Sequence, residues 1–162
     1  MTSQTYSFLD VHATIQGPGA SFQLGGPNSS VQLGAGSGLA DEGITLSRAE
    51  DKNTQTVGAD GKAMNVLNAA NNGTVTVRLQ QISPVNKMLM DLYNAQRGSS
   101  TTWGQNVITI TDIARGDKHT CRQVAFKKAP DLTYAKAGST REWVFDVGHI
   151  DSQLGSGAPS LS

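Results

Sequence analysis

The sequence predicts a mainly β fold, a β-sandwich or barrel with one flanking α-helix and a long extended loop or hairpin. Three observations predict it. Short segments of alternating apolar and polar residues recur along the chain, as strands with one buried face require. Glycine- and asparagine-rich turn signals separate them. One segment, SPVNKMLMDLYNAQ, has helical rather than strand periodicity.

The first strand is expected over Tyr6 to Ile15, where Leu9, Val11, Ala13 and Ile15 alternate with Phe8, Asp10, His12 and Thr14. Gly17-Pro18-Gly19 stops it. FQLGGPNSSVQLGAGSG then carries two short apolar pulses, Phe22/Leu24 and Val31/Leu33, which read as a short hairpin or as a glycine-rich connector. Gly43 to Leu46 starts another strand. Asn71-Asn72-Gly73 reads as a hairpin turn. Thr74 to Gln80 follows with the clearest alternation: Val75, Val77 and Leu79 on one face, Thr74, Thr76, Arg78 and Gln80 on the other.

The helix is expected from Ser83 to Gln96. Ser83 suits the N-cap, and Pro84 suits the first turn because its missing N–H is not needed there. Val85, Met88, Leu89 and Leu92 form one apolar stripe. Strands are expected again over Val107 to Asp112, Lys118 to Lys127 and Arg141 to Ile150, with a turn at Ala114 to Asp117. At 162 residues the chain is read as one domain, 1–162, with a tail over 151–162 expected to be flexible or ordered by assembly.

Charge narrows the function. Thirteen basic and thirteen acidic residues give no net charge, so a groove-binder of nucleic acid is disfavoured. Charged residues are only 16 %, below the roughly 25 % of an average domain. Either Ser, Thr, Asn and Gln keep the protein soluble, or copies of the chain bury much of its surface. The single Cys121 allows no intrachain disulfide and fits a reducing compartment. The first residues lack the basic and apolar regions of a secretory signal, and no run reaches membrane-spanning length. The sequons at Asn28 and Asn72 are therefore read as chance matches.

No catalytic, cofactor-binding or metal-binding residues are expected. His12, His119 and His149 lack metal-ligand spacing. His119 and Cys121 share a strand face, which could hold a thiol–imidazole pair but is read as two ordinary strand residues. Gly58-Ala59-Asp60-Gly61-Lys62 fails as a phosphate loop because Thr56 and Ala63 stand where glycine and a hydroxyl residue belong. DKNTQTVGADG fails as a calcium loop, with Gln55 and Thr56 in place of ligand and glycine.

What remains is the polar excursion SRAEDKNTQTVGADGKA, Ser47 towards Met64, with Val57 its only large apolar residue. A connection this long in a compact domain is functional or disordered. Thr54, Thr56 and Val57 favour extended structure, and the turn residues sit at the far end. Folded on itself it would project roughly 25 Å at about 3.3 Å per residue. A two-stranded projection is marginal alone and is expected to order against another copy.

AEDKNTQTVGADGKAMN followed by GTVTVRLQQISPVNKMLMDLYN resembles the tail tube proteins of contractile-tailed bacteriophages. The likeness spans about Asp10 to Ile150 and is weakest over Gly17 to Leu39. It implies a structural, non-enzymatic subunit without cofactors. It further implies hexameric rings whose inner sheets join into one barrel and which stack into a tube inside a contractile sheath. Expected partners are further copies of itself, the sheath protein, baseplate and tail-terminator proteins, and in the lumen the tape-measure protein and transient genomic DNA. It would be a virion protein assembled in the host bacterial cytoplasm. The excursion matches the loop that reaches the next ring, making Glu50, Asp51, Lys52, Asn53, Thr54, Gln55, Thr56, Val57, Asp60 and Lys62 candidate contacts. Thr74, Thr76, Arg78 and Gln80 are the candidate lumen residues, with Arg78 needing an acidic partner there. Asn86, Lys87, Asp91 and Asn94 on the helix face either the sheath or water. Absence of net charge suits a lumen that must not adsorb DNA. The alternatives are a tube subunit of a bacterial secretion or phage-derived injection apparatus, and a monomeric β-sandwich binding module.

Overall fold

The structure, a computed structural model, describes residues 11–17, 31–32, 39–112 and 114–155. Its strands are β1 (Val11–Gln16), β2 (Val31–Gln32), β3 (Leu39–Arg48), β4 (Asn53–Val57), β5 (Ala63–Leu67), β6 (Gly73–Gln80), β7 (Asn106–Asp112), β8 (Asp117–Lys128) and β9 (Thr140–Gln153), and its helix is α1 (Val85–Gln96). Seven strands form one antiparallel sheet in the order β2-β1-β7-β8-β9-β6-β3, while β4 and β5 pair only with each other. Six of the seven are long, and the sheet curls into a half-barrel.

Alternation decides which face is core. Ala13 and Ile15, Val75, Val77 and Leu79, Ile108 and Ile110, and Trp143, Phe145 and Val147 all lie buried together. Helix α1 covers them with Val85, Leu89 and Leu92, the expected stripe, while Met88 packs at the margin. Each such side chain removed from water contributes about 1.5–3 kcal/mol. Phe126 centres an aromatic cluster, 5.0 Å from Phe145, 5.5 Å from Tyr93 and 6.0 Å from Trp143 between centroids.

Polar side chains at both ends of α1 fix its position. Near the start, Asn86 is buried; its Nδ2 donates to the Gln80 carbonyl at 2.9 Å and its Oδ1 accepts from Trp143 Nε1 at 3.0 Å. At the other end Gln96 and Asn106, both fully buried, exchange two hydrogen bonds of 2.6 and 2.8 Å. Burial without those partners would cost about 1–3 kcal/mol per group. Pro84 occupies the cap position, one residue later than expected, and Ser83 Oγ accepts from the Val85 N–H.

Between the pairs Ile108↔Cys121 and Asn106↔Val124, β8 spends one residue more than β7. Within that bulge Gln123 takes φ 55°, a left-handed conformation rare outside glycine. Gly148 lies opposite, where a Cβ would press on the Gln123 side chain. A bulge sharpens local twist and helps the sheet curl.

Several expectations change. Tyr6 to Asp10, the Phe22/Leu24 pulse and residues 156–162 of the tail lie outside the described residues. Asp151 to Gln153 belong to β9, so the tail begins later than expected. Asn71-Asn72-Gly73 does not turn one strand into the next. Gly73 opens β6 opposite Arg48, and a Cβ there would collide with the Ser47 carbonyl oxygen. Its glycine serves close strand approach, and the whole segment from 49 to 72 joins β3 to β6.

Candidate functional site

The excursion is an ordered hairpin. Five cross-strand pairs, Asn53↔Leu67 to Val57↔Ala63, hold it, and the tip closes with Gly58 N–H to Lys62 O and Gly61 N–H to Gly58 O. Gly61 has φ 83°, which favours glycine there. The base is latched: Lys52 Nζ donates to the carbonyls of Asn68 and Ala70 at 2.9 Å each, and Asn68 Nδ2 donates to Glu50 Oε2 at 2.7 Å. Its limits differ from Ser47–Met64, because Ser47 and Arg48 pair with β6 inside the sheet while Met64, Val66 and Leu67 belong to the arm.

All ten strand residues of the arm are exposed. Pairing puts Asn53, Gln55, Val57, Ala63, Asn65 and Leu67 on one face, where the Asn53 and Gln55 amides donate to Asn65 Oδ1 at 3.3 Å. Thr54, Thr56, Met64 and Val66 make the other face, so both faces are more apolar than the excursion's composition suggested. Val57 and Met64 remain 60 % exposed and Leu67 79 %. A β-ribbon with its hydrogen bonds made and its apolar side chains uncovered lacks only a second layer.

A different surface lies on the sheet face away from α1. Thr74, Thr76 and Arg78 are half-buried there and Gln80 is exposed. Arg78 has the acid it needs, with Nε 3.2 Å from Glu142 Oε2 on β9. Across the same face Arg122 Nη1 lies 3.2 Å from Asp151 Oδ2, and His149 Nε2 lies 3.0 Å from Asp151 Oδ1. Thr14, Thr109 and Thr120 align across β1, β7 and β8 by direct pairing. Arg78, Lys118 and Arg122 are matched there by Glu142, Asp146 and Asp151.

The helix positions divide. Lys87 and Asn94 are exposed and Asp91 is half-buried, with Lys87 Nζ 3.9 Å from Asp91 Oδ2. Asn86 is buried, its amide engaged by the Gln80 carbonyl and Trp143 Nε1, which corrects its placement among the exposed residues of the outer face.

His119 and Cys121 do not pair. The His119 Nδ1 lies 2.9 Å from Ser152 Oγ, whereas Cys121 is fully buried and its thiol is pushed up to about 11, mainly by burial and against the pull of Arg48. Among the described residues no group of three or more His, Cys, Asp or Glu could hold a metal ion. Nor is any described helix long and apolar enough to cross a membrane.

Sequence reasoning missed one feature, a groove between the first half of α1 and the irregular segment 129–139, lined by Met90, Pro130, Leu132 and Trp143 and by the charged Arg141, Lys87 and Asp91, the last two 3.9 Å apart. Only the large Leu132 and Tyr134 in that segment hinted at it.

Comparison with known proteins places this curled sheet, charge-balanced polar face and uncovered arm in a family. Residues 3–155 match the family of the bacteriophage PhiTE tail tube protein, and this chain belongs to that family. It is 26 % identical over 115 residues to structural protein ORF10 of Pseudomonas phage KPP10, a match covering 71 % of this chain and 66 % of that protein. Its fold is similar to a chain of the sheath–tube complex of an extracellular contractile injection system, at TM-score 0.57 and 9 % identity over 93 % of this chain and 92 % of that one. A chain of the tube-terminating cap of the anti-feeding prophage is similar at TM-score 0.56 and 10 % identity, over 95 % and 93 % respectively. At such identities the likeness concerns fold alone.

Proposed function

We propose that this chain is the tube subunit of a contractile phage tail, forming hexameric rings that stack into a hollow conduit for DNA. In this reading the Thr74, Thr76, Arg78 face lines the lumen and α1 lies outside, where Lys87, Asp91 and Asn94 are open to the sheath. Terminator and baseplate proteins close the two ends, the tape-measure protein occupies the lumen until DNA replaces it, and assembly takes place in the host cytoplasm. The role is structural, with no chemistry asked of any side chain. Glu50 to Val57, Asp60 and Lys62 make the contacts between rings.

The observation that carries it is the sheet itself, a half-barrel whose uncovered face is rich in hydroxyls and balanced in charge. Six copies, each giving four strands, make a barrel of about 24 strands. At roughly 4.8 Å spacing and about 45° tilt its backbone diameter is about 50 Å, wide enough for a duplex inside the side chains. Closure also removes the free sheet edges that a lone subunit presents. Paired charges let DNA slide, since an unmatched basic stripe would bind phosphate through counterion release. Negative-stain microscopy of the purified protein at rising concentration tests this. Rings or hollow tubes are expected, and persistent monomers at every concentration would overturn it.

A further inference from the structure

Arm and groove sit at opposite ends of the same strands. β6 leaves the arm at Gly73, paired with Val147, and ends at Gln80, paired with Thr140, beside the groove. Eight residues of strand, roughly 25 Å, separate them, and no residue of the arm lines the groove of its own subunit. A copy stacked end to end brings one to the other.

The groove is unfinished in a way that specifies its occupant. Its volume is about 400 Å³ and Leu132 at its wall is half-exposed. The Arg141 guanidinium lies over the Tyr134 ring, 5.8 Å from its centroid, and its Nε is buried without a hydrogen-bond partner. A buried cationic N–H left unpaired is costly, and an incoming carboxylate answers it better than a neutral acceptor does. The arm carries both missing elements. Met64 and Val66 share one of its faces, and Asp60 stands exposed at its tip, its Oδ1 accepting from the Lys62 N–H at 3.1 Å. Lys52 is engaged on two carbonyls at the base.

We infer that the groove between α1 and segment 129–139 is the seat for the arm of a second copy of this chain. Met64 and Val66 pack against Leu132 and Met90, and the Asp60 carboxylate accepts from Arg141. This rests on the tube reading and adds the receiving site to it.

Cysteine cross-linking tests it, because Cys121 is buried and gives little background. The double variant Met64→Cys, Leu132→Cys, assembled and mildly oxidised, should run as a ladder of chain multiples on a non-reducing gel. A mixture of the two single variants should give dimers, and neither alone should. Tubes visible by microscopy without dimers in the mixture would overturn the seat and leave the tube reading intact. A wild-type protein that never forms tubes removes both. Should the cysteines prevent assembly of folded subunits, charge reversal decides. Asp60→Arg and Arg141→Glu should each raise the concentration needed for tubes at least about tenfold, roughly 1.4 kcal/mol. Their combination should restore it, and failure to restore it would sink the pairing.

Discussion

Val75 and Val66 are the same residue in the same kind of structure, each within a strand of an antiparallel pair. Val75 is fully buried, while Val66 is 49 % exposed. The difference is the second layer. Strand β6 lies between β9 and β3 and beneath α1, so each alternate side chain meets Phe145, Trp143 or Leu89 in one core. Strand β5 has β4 and, among the described residues, nothing above it. Backbone pairing gives a ribbon its shape, and only a covered face gives it stability. The sheet owns its second layer, whereas the arm has none within the described residues of its own subunit.

Hydrogen exchange should separate the two regions most widely. In a dilute subunit the amides of β4 and β5 open locally at a cost near zero, whereas those of β6 and β9 open only with global unfolding. Thr54, Gln55 and Val66 should exchange at least about a thousandfold faster than Val75, Val77 and Phe145. Assembly into tubes should close most of that gap. Equal protection of both regions in a dilute subunit would mean that the arm needs no partner.

Truncation sharpens the same contrast at smaller scale. Trp143→Ala removes the ring packed against Phe126 and the donor that satisfies Asn86, so about 3–5 kcal/mol of subunit stability should go. Val66→Ala should change it by less than about 0.5 kcal/mol. Urea unfolding of dilute protein measures both. A Val66 effect approaching that of Trp143 would show a core beneath the arm that the geometry lacks.

What was legible in the sequence follows from the same division. The period of two in β6 and β9 and the helical stripe of α1 report burial on one face, so core residues could be read directly. The arm was legible as an excursion because it has little to bury, but its expected end near Met64 leaves out Val66 and Leu67; an apolar pair does not say where its cover comes from. Asn71-Asn72-Gly73 misled because a glycine needed for close approach looks like one needed for a turn. Asn86 misled because its partner, Trp143, is brought close only by the fold. The groove was invisible for lack of any period in segment 129–139, its walls meeting only when α1 lies on the sheet.

The smallest effect concerns Cys121, and its sign follows from burial. The folded thiol titrates near 11 instead of its ordinary 9.0, since the core disfavours thiolate more than Arg48 favours it. Below pH 9 both states keep the proton and the group is neutral in the balance. Between about 9 and 11 the unfolded chain loses that proton first, so stability falls with rising pH, by up to about 2.5 kcal/mol at the top of the range. The comparison is with Cys121→Ala, which should start lower from its lost packing and fall less steeply. Urea midpoints at pH 8 and pH 10.5 give both slopes. Identical slopes would mean that water reaches Cys121, and that the core is looser than its side chains suggest.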